Sequence, residues 1–300
     1  MEITRTRVTD QGLTGLVCSP ARGPAPGVLL VGGSEGGRHD RDAALLAAEG
    51  FTVLSLSYFA DEGVTPVLVD IPLELFAAAL DHLESVSAGG GLGMVGGSRG
   101  GEATLLVASR EPRIRAAVSI AGSGLLTQGI DFTAGVLPEI LSRDVPSWTV
   151  GGEPLPYLPY ANIDRIQTLV DAGQPVPLAL GFPPVPTDPA QLELVSIPVE
   201  RVSGRILSVC GEDDQSWPSA AYTQVAVDRM AAAGRATDIE HIVLPGVGHP
   251  IAGPPGDPFA STLAPGPGTT FEMGGTAEAN TTGRARAWEL TLAFLRRELQ

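Results

Sequence analysis

Four short runs set the terms on which this chain can fold: GVLLVGG at 27–33, FTVLSLSY at 51–58, LGMVGG at 92–97 and IRAAVSIAG at 114–122. They are apolar in block rather than in alternation, so both faces of each strand need cover. Parallel strands with helices on either side meet that need, whereas an antiparallel sheet with one wet face does not. The stretches between carry helical periodicity. Arg41–Glu49 precedes the second run. Pro72–Val86 precedes the third, with Leu73, Phe76, Leu80 and Leu83 on one face and Pro72 suited to the first turn. Strand and helix in alternation predict a doubly wound, mostly parallel α/β sheet.

Between Ser123 and Ser203 the rhythm gives way to Pro-rich sequence, including SWTVGGEPLPYLPY (147–160) and GFPPVPTDP (181–189), with one helix expected around Asn162–Ala172. A segment of this length exceeds an ordinary loop. Its leucines, tyrosines and Trp148 call for packing, so we read an inserted cap over one edge of the sheet rather than a disordered linker. The sheet resumes with GRILSVCGEDD (204–214) and IEHIVLPGVGHP (239–250), and a Gly/Pro-rich loop follows. A last helix presents Trp288, Leu292, Leu295 and Leu299 as a core-facing stripe. The expected organisation is one domain over 1–300, with core segments 1–122 and 204–300 and a cap at about 123–203.

With 300 residues, 43% of them apolar, the chain can bury a large core. A formal net charge of −15 without any Lys/Arg block repels polyanions at long range. That argues against nucleic acid as a partner and leaves a phosphate-rich ligand dependent on a few local arginines. Arg99, Arg165, Arg201, Arg284 and Arg286 are available, each simplest as a surface or structural residue. No stretch approaches the roughly 18 apolar residues of a membrane helix, and MEITRTRVTDQG lacks the apolar segment of a secretory signal. The expectation is a cytoplasmic protein with no membrane partner. Cys18 and Cys210 lie far apart in strand-like runs and read as two buried thiols; no disulfide framework, metal site or cofactor is called for.

Ser98 stands in GMVGGSRGGEATLLVA (93–108), where the third run turns into a helix near Gly101. A lone Gly-x-Ser-x-Gly is weak, because Gly-rich turns often hold a serine. Set between a parallel strand and a helix, the same residues form a nucleophile elbow. Gly96 and Gly100 occupy positions where side chains would clash, and the turn lifts the hydroxyl above the carboxyl edge of the sheet. The competing reading is a phosphate-binding loop; the pattern Gly-x-Gly-x-x-Gly is absent, and no acidic residue is placed for a ribose.

A serine hydroxyl needs a base to take its proton and a carboxylate to orient that base. His39 falls in an early loop, His82 on a helix and His241 inside a strand, each simplest as a surface or packed residue. His249, in GVGHP directly after a strand, reaches the same sheet edge as Ser98 and is the candidate base. The loop CGEDDQSWP offers Glu212, Asp213 and Asp214; Asp214 is the candidate acid, with Asp213 facing solvent or bracing the turn. Ser98, Asp214 and His249 each follow a separate strand, in the chain order such sites take on this kind of sheet. A tetrahedral oxyanion needs two amides, one from Arg99 and one from GGSEGGRHD. Ser34 is the candidate in that loop and Gly33 and Glu35 are the alternatives, Glu35 being equally suited to brace the loop through backbone contacts.

These residues sit within GGSEGG (32–37), GGSRGGE (96–102), SWTVGGEPLPY (147–157), IPVERVSGRILSVCGEDDQSWPS (197–219), PGVGHPI (245–251) and GGTAEAN (274–280). Together the segments resemble the catalytic domain shared by acyl-CoA thioester hydrolases and bile acid-CoA:amino acid N-acyltransferases, within the α/β-hydrolase superfamily. The likeness extends over nearly the whole chain after about Gly27. It implies a Ser or Cys nucleophile with Asp and His, attack on a thioester carbonyl, and an acyl-enzyme. Animal members carry an N-terminal β-sandwich for which these 300 residues leave no room, so a stand-alone, bacterial-type member is expected. Amidating members use cysteine and hydrolytic members serine, so Ser98 favours water as the acceptor. The expectation is a serine acyl hydrolase acting on a small-molecule acyl thioester. A dienelactone-hydrolase-like carboxylesterase or lactonase, an acyltransferase serving an amine or alcohol, and a silent fold used for binding are the alternatives. The acyl chain, its carrier and any homo-oligomer are left open.

Overall fold

A computed structural model describes residues 1–10, 12–256, 260–266 and 269–300. The chain enters through β1 (Ile3–Val8) and β2 (Thr14–Pro20), then runs through β3 (Gly27–Val31), α1 (Asp40–Ala48), β4 (Thr52–Ser57) and the short β5 (Ile71–Pro72). It continues through α2 (Leu73–Val86), β6 (Leu92–Gly97), α3 (Arg99–Ala108) and β7 (Ile114–Ile120). Residues 121–204 contribute α4 (Leu137–Leu141), β8 (Trp148–Val150), β9 (Glu153–Pro154), α5 (Ile163–Asp171), β10 (Val176–Pro177) and α6 (Pro189–Val195). The path closes with β11 (Arg205–Gly211), α7 (Ser219–Ala232), β12 (Ile239–Leu244), β13 (Thr262–Gly266), β14 (Thr269–Glu272) and α8 (Ala277–Leu299).

Eight strands build the central sheet in the order β1-β2-β4-β3-β6-β7-β11-β12. β2 is antiparallel to both of its neighbours, and every other pairing is parallel. β3 and β4 are buried at every position, as block-apolar sequence demands. Leu80 of α2, Leu105 of α3 and Met230 of α7 pack in one core layer; Leu46 of α1 with Phe294 and Leu295 of α8 pack in the other. Each large aliphatic side chain removed from water in this way stabilises the fold by roughly 1.5–3 kcal/mol.

The buried face of α2 is Leu73, Phe76, Ala79, Leu80 and Leu83, which contains the expected stripe, while Pro72 sits one position outside the helix. On α8 the expected stripe is rotated. Ala287, Thr291, Phe294 and Leu295 are buried, and Trp288, Leu292 and Leu299 are half-buried. Small residues set that rotation: a Cβ on Gly283 would lie 2.6 Å from Val247 Cγ1, so this side of the helix comes closest to the core. β1 and β2 extend the sheet beyond the runs read from sequence. As an edge strand, β1 exposes Thr4, Arg5, Thr6 and Arg7 and carries no block-apolar signal.

Residues 121–204 lie outside the central sheet and are tied to the rest by short pairings of β8 with β5 and of β10 with β14. No helix among the described residues is long and apolar enough to cross a membrane. From β3 the chain moves to β4 on one side, and from β6 it moves to β7 on the other. Such a reversal opens a crevice at the carboxyl ends of the two strands.

Candidate active site

Ser98 occupies that crevice, between the last residue of β6 and the first of α3. Its amide donates to Ile120 O at 2.8 Å, and its backbone adopts φ 54°, ψ −121°. A non-glycine residue held there costs about 1–3 kcal/mol, which the surrounding packing must offset. The flanking glycines follow from close approach. A Cβ on Gly96 would lie 2.0 Å from Gly100 O, and one on Gly100 would lie 2.4 Å from Gly32 O. Helix α3 begins at Arg99, directly after the serine rather than near Gly101.

The loop after β12 brings His249 Nε2 to 3.0 Å from Ser98 Oγ, and His249 Nδ1 lies 2.8 Å from Asp214 Oδ2. The Asp214 side chain is 2% exposed. Its Oδ1 accepts from the amides of Ser216 (2.9 Å) and Trp217 (3.2 Å), and its Oδ2 accepts from Ser219 Oγ (2.6 Å) as well as facing the imidazole. Burial alone would lower the His249 pKa; the charge and hydrogen bond of Asp214, aided by the charge of Glu35, outweigh it and hold the pKa above 6.5.

The histidine loop is braced from behind. His249 N–H donates to Met273 O at 2.8 Å and Gly248 N–H to Asn280 Oδ1 at 2.8 Å, while Asn280 Nδ2 returns a bond to Gly274 O at 3.0 Å. Exposed Asp213 accepts from Gly275 N–H at 2.8 Å and so braces the turn, and Glu212 accepts from Gly246 N–H at 3.0 Å.

Among the described residues, the amides of Ser34 and Arg99 have no hydrogen-bond partner, whereas Gly33 N–H donates to Glu35 Oε1 at 2.9 Å. Glu35 therefore occupies one of the alternative donors and braces its own loop. Ser34, Ser98 and Arg99 line a cavity of about 470 Å³ whose other walls include Phe132, Ile140, Phe182, Trp217 and Phe271. A second cavity of about 230 Å³ meets Ser98 from the other side, with Glu35, His39, Asp42, His249 and Arg284 in its walls. There His39 lies 3.2 Å from Glu35 and 3.8 Å from Asp42, and the two carboxylates, Asp42 foremost, push its pKa up to about 9.

A family model described as the C-terminal part of BAAT / acyl-CoA thioester hydrolase matches residues 71–169 and 182–300. The chain belongs to this family. Human acyl-coenzyme A thioesterase 1 is 31% identical over 287 residues, covering 95% of this chain and 62% of that protein. Mouse peroxisomal succinyl-coenzyme A thioesterase is 29% identical, with 95% and 62% covered. Rat acyl-coenzyme A amino acid N-acyltransferase 2 is 29% identical, with 99% and 66% covered. The chain thus spans less than two thirds of the length of each. A dienelactone hydrolase-like promiscuous phosphotriesterase from metagenomic libraries superposes with TM-score 0.56 at 17% identity, covering 100% of this chain and 99% of that one. The likeness places the chain in the α/β-hydrolase fold.

Several residues in the segments that resemble the family take structural roles that the sequence alone does not give them. Ser219 bonds the Asp214 carboxylate, Asn280 holds the histidine loop, and Glu102 lies fully buried beside the Arg99 guanidinium. Ser219 and Asn280 act across turns that carry no local pattern; Glu102, an acidic residue at the fourth position of a helix among apolar neighbours, was the one visible signal. Of the other arginines considered for phosphate, Arg165, Arg201 and Arg286 are exposed, and Arg284 donates to Pro254 O. His82 lies half-buried on α2, and His241 in β12 is 3.3 Å from Ser208 Oγ. Cys18 and Cys210 are free and buried.

Proposed function

We propose that the chain is a serine acyl hydrolase that cleaves acyl thioesters through an acyl-enzyme. The observation that carries this reading is the unbroken line Ser98 Oγ, His249 Nε2, His249 Nδ1, Asp214 Oδ2, with steps of 3.0 and 2.8 Å across the imidazole, at the mouth of an apolar cavity. Ser98 passes its proton to His249 as Oγ attacks the carbonyl carbon. The Arg99 and Ser34 amides hold the resulting oxyanion; loss of one such donor costs about 10²–10³ in rate. When the tetrahedral species collapses, the C–S bond breaks and His249 returns the proton to the sulfur. Water then gives its proton to His249 and attacks the ester carbonyl, the C–Oγ bond breaks, and the proton goes back to Ser98. Asp214 keeps Nδ1 protonated and supports the imidazolium.

The two cavities orient the substrate. His249 must reach the leaving sulfur, and it lines the smaller, charged cavity, so the thiol arm belongs there and the acyl chain in the larger, apolar one. The thioesterase relatives support a thioester carbonyl. Two buried free thiols suit the reducing cytoplasm expected from sequence. The test compares thioester and oxygen-ester versions of one acyl group, with intact-protein mass recorded during turnover. Faster thioester cleavage with one acyl group added to wild type and none to Ser98→Ala is expected; a preference for the oxygen ester would move the assignment to an esterase. A second reading, transfer to an amine, draws on the rat amino acid N-acyltransferase relative, and amide formation in the presence of an added amino acid would favour it.

A further inference from the structure

Arg99 offers its amide to the oxyanion position while its side chain is engaged elsewhere. Its guanidinium bonds Glu102 Oε2 at 2.9 Å, Ser147 Oγ at 3.1 Å and the carbonyl of Gln128, and its Cζ lies 5.8 Å from the centroid of the Trp217 ring. Glu102 also accepts from Trp148 Nε1 at 2.7 Å and Thr127 Oγ1 at 2.6 Å. Both members of the pair are buried, Arg99 to 2% and Glu102 to 0% exposure. Trp217, in turn, donates its amide to Asp214 Oδ1 at 3.2 Å and its indole N–H to Ala121 O at 2.7 Å. One ion pair thus touches the first turn of α3, the segment 121–204 and the loop of the acid.

A buried ion pair is a weak means of stabilising a fold, since well-packed apolar residues in its place are often neutral or better. What a planar guanidinium supplies is direction: it fixes several partners at once in set orientations. Amides that stabilise an oxyanion depend on such placement, and a shift of about 1 Å can cost two orders of magnitude in rate. We propose that Arg99 and Glu102 are positioning residues that make the oxyanion amide and the Asp214 loop depend on the seating of segment 121–204. This inference rests on the acyl-enzyme reading above.

The test uses the full chain with two variants, Arg99→Met/Glu102→Gln and Trp148→Phe. The first removes both charges together; the second removes only the indole donor to Glu102. Each is measured for kcat, KM, melting temperature and Ki of an alkyl trifluoromethyl ketone, which forms a tetrahedral adduct with a nucleophilic serine. In the double variant kcat is expected to fall at least about tenfold and Ki to rise in parallel, with KM moving less than about twofold and melting near that of wild type. Trp148→Phe should move kcat and Ki the same way by about threefold, and it decides the matter alone if the double variant fails to fold. Wild-type kcat and Ki in either folded variant would overturn the proposal. Failure of the ketone to inhibit wild type would instead remove the acyl-enzyme reading, and the inference with it.

Discussion

The two cavities that meet at Ser98 differ in kind. One is built from the side chains of residues 130–182 together with Trp217 and Phe271, and is aromatic and aliphatic; the other is built from the loop after β3, α1 and α8, and carries Glu35, His39, Asp42 and Arg284. An apolar chain gains by leaving water in the first, while a polar thiol arm with amides finds donors and acceptors in the second. Ser98 sits at their junction, so on the proposed reading the contrast would sort the two halves of a thioester before any chemistry occurs.

The largest effect expected tests the junction itself. Ser98→Ala should lose at least about a thousandfold in kcat, and Asp214→Asn a comparable factor because the imidazole loses its orienting acceptor. A residual rate within tenfold of wild type for Ser98→Ala would place the chemistry on another residue. Next comes the apolar side. Ile140→Trp should cut kcat/KM for the longest accepted acyl chain roughly tenfold or more while sparing short chains, because each methylene displaced from such a pocket is worth about 1–3 kcal/mol. If chain-length preference is unchanged, the acyl group lies elsewhere.

Smaller effects belong to the charged side. The charge of Glu35 helps to raise the His249 pKa, and on the proposed mechanism His249 must be neutral to act, so activity should fall as pH drops through that pKa. Glu35→Gln should therefore move the acid limb of kcat/KM to lower pH, with a change of about two- to threefold on that limb because the Glu35 side chain is 59% exposed. A limb that stays in place would separate Glu35 from the base. The smallest effect concerns His39, whose folded pKa of about 9 exceeds the ordinary 6.5. A raised folded pKa contributes stability that is full below about 6.5 and is lost as pH rises through about 9. Wild type should melt roughly 2 °C above His39→Gln at pH 6, and the gap should close by pH 10.

Much of the central sheet was legible in sequence because burial on both faces writes itself as apolar blocks, as in β3, β4 and β6. Strands at the rim were not, because an edge strand such as β1 alternates Thr and Arg toward solvent. Ser98 directly follows β6, Asp214 comes three residues after β11 and His249 five after β12, so strand order in the sequence already put all three at one sheet edge. Nothing in the sequence separates Ser34 from Gly33 as a free amide; in the structure the Gly33 amide is taken by the Glu35 carboxylate and the Ser34 amide is not. Ser219 supports Asp214 across the turn that joins them and Asn280 supports the histidine loop from α8, and single-sequence periodicity carries neither contact. On α8, periodicity found the helix but not its rotation, which small residues such as Gly283 and Ala287 determine by how closely they let it approach.

The most direct measurement is thiol release from a panel of acyl-CoA esters, short to long and aromatic, by wild type and by Ser98→Ala. An acyl-enzyme formed on Ser98 requires turnover of at least one chain class by wild type and a loss of about a thousandfold or more in the variant. Release that persists in Ser98→Ala, or a wild type that cleaves simple esters but no thioester, would contradict it.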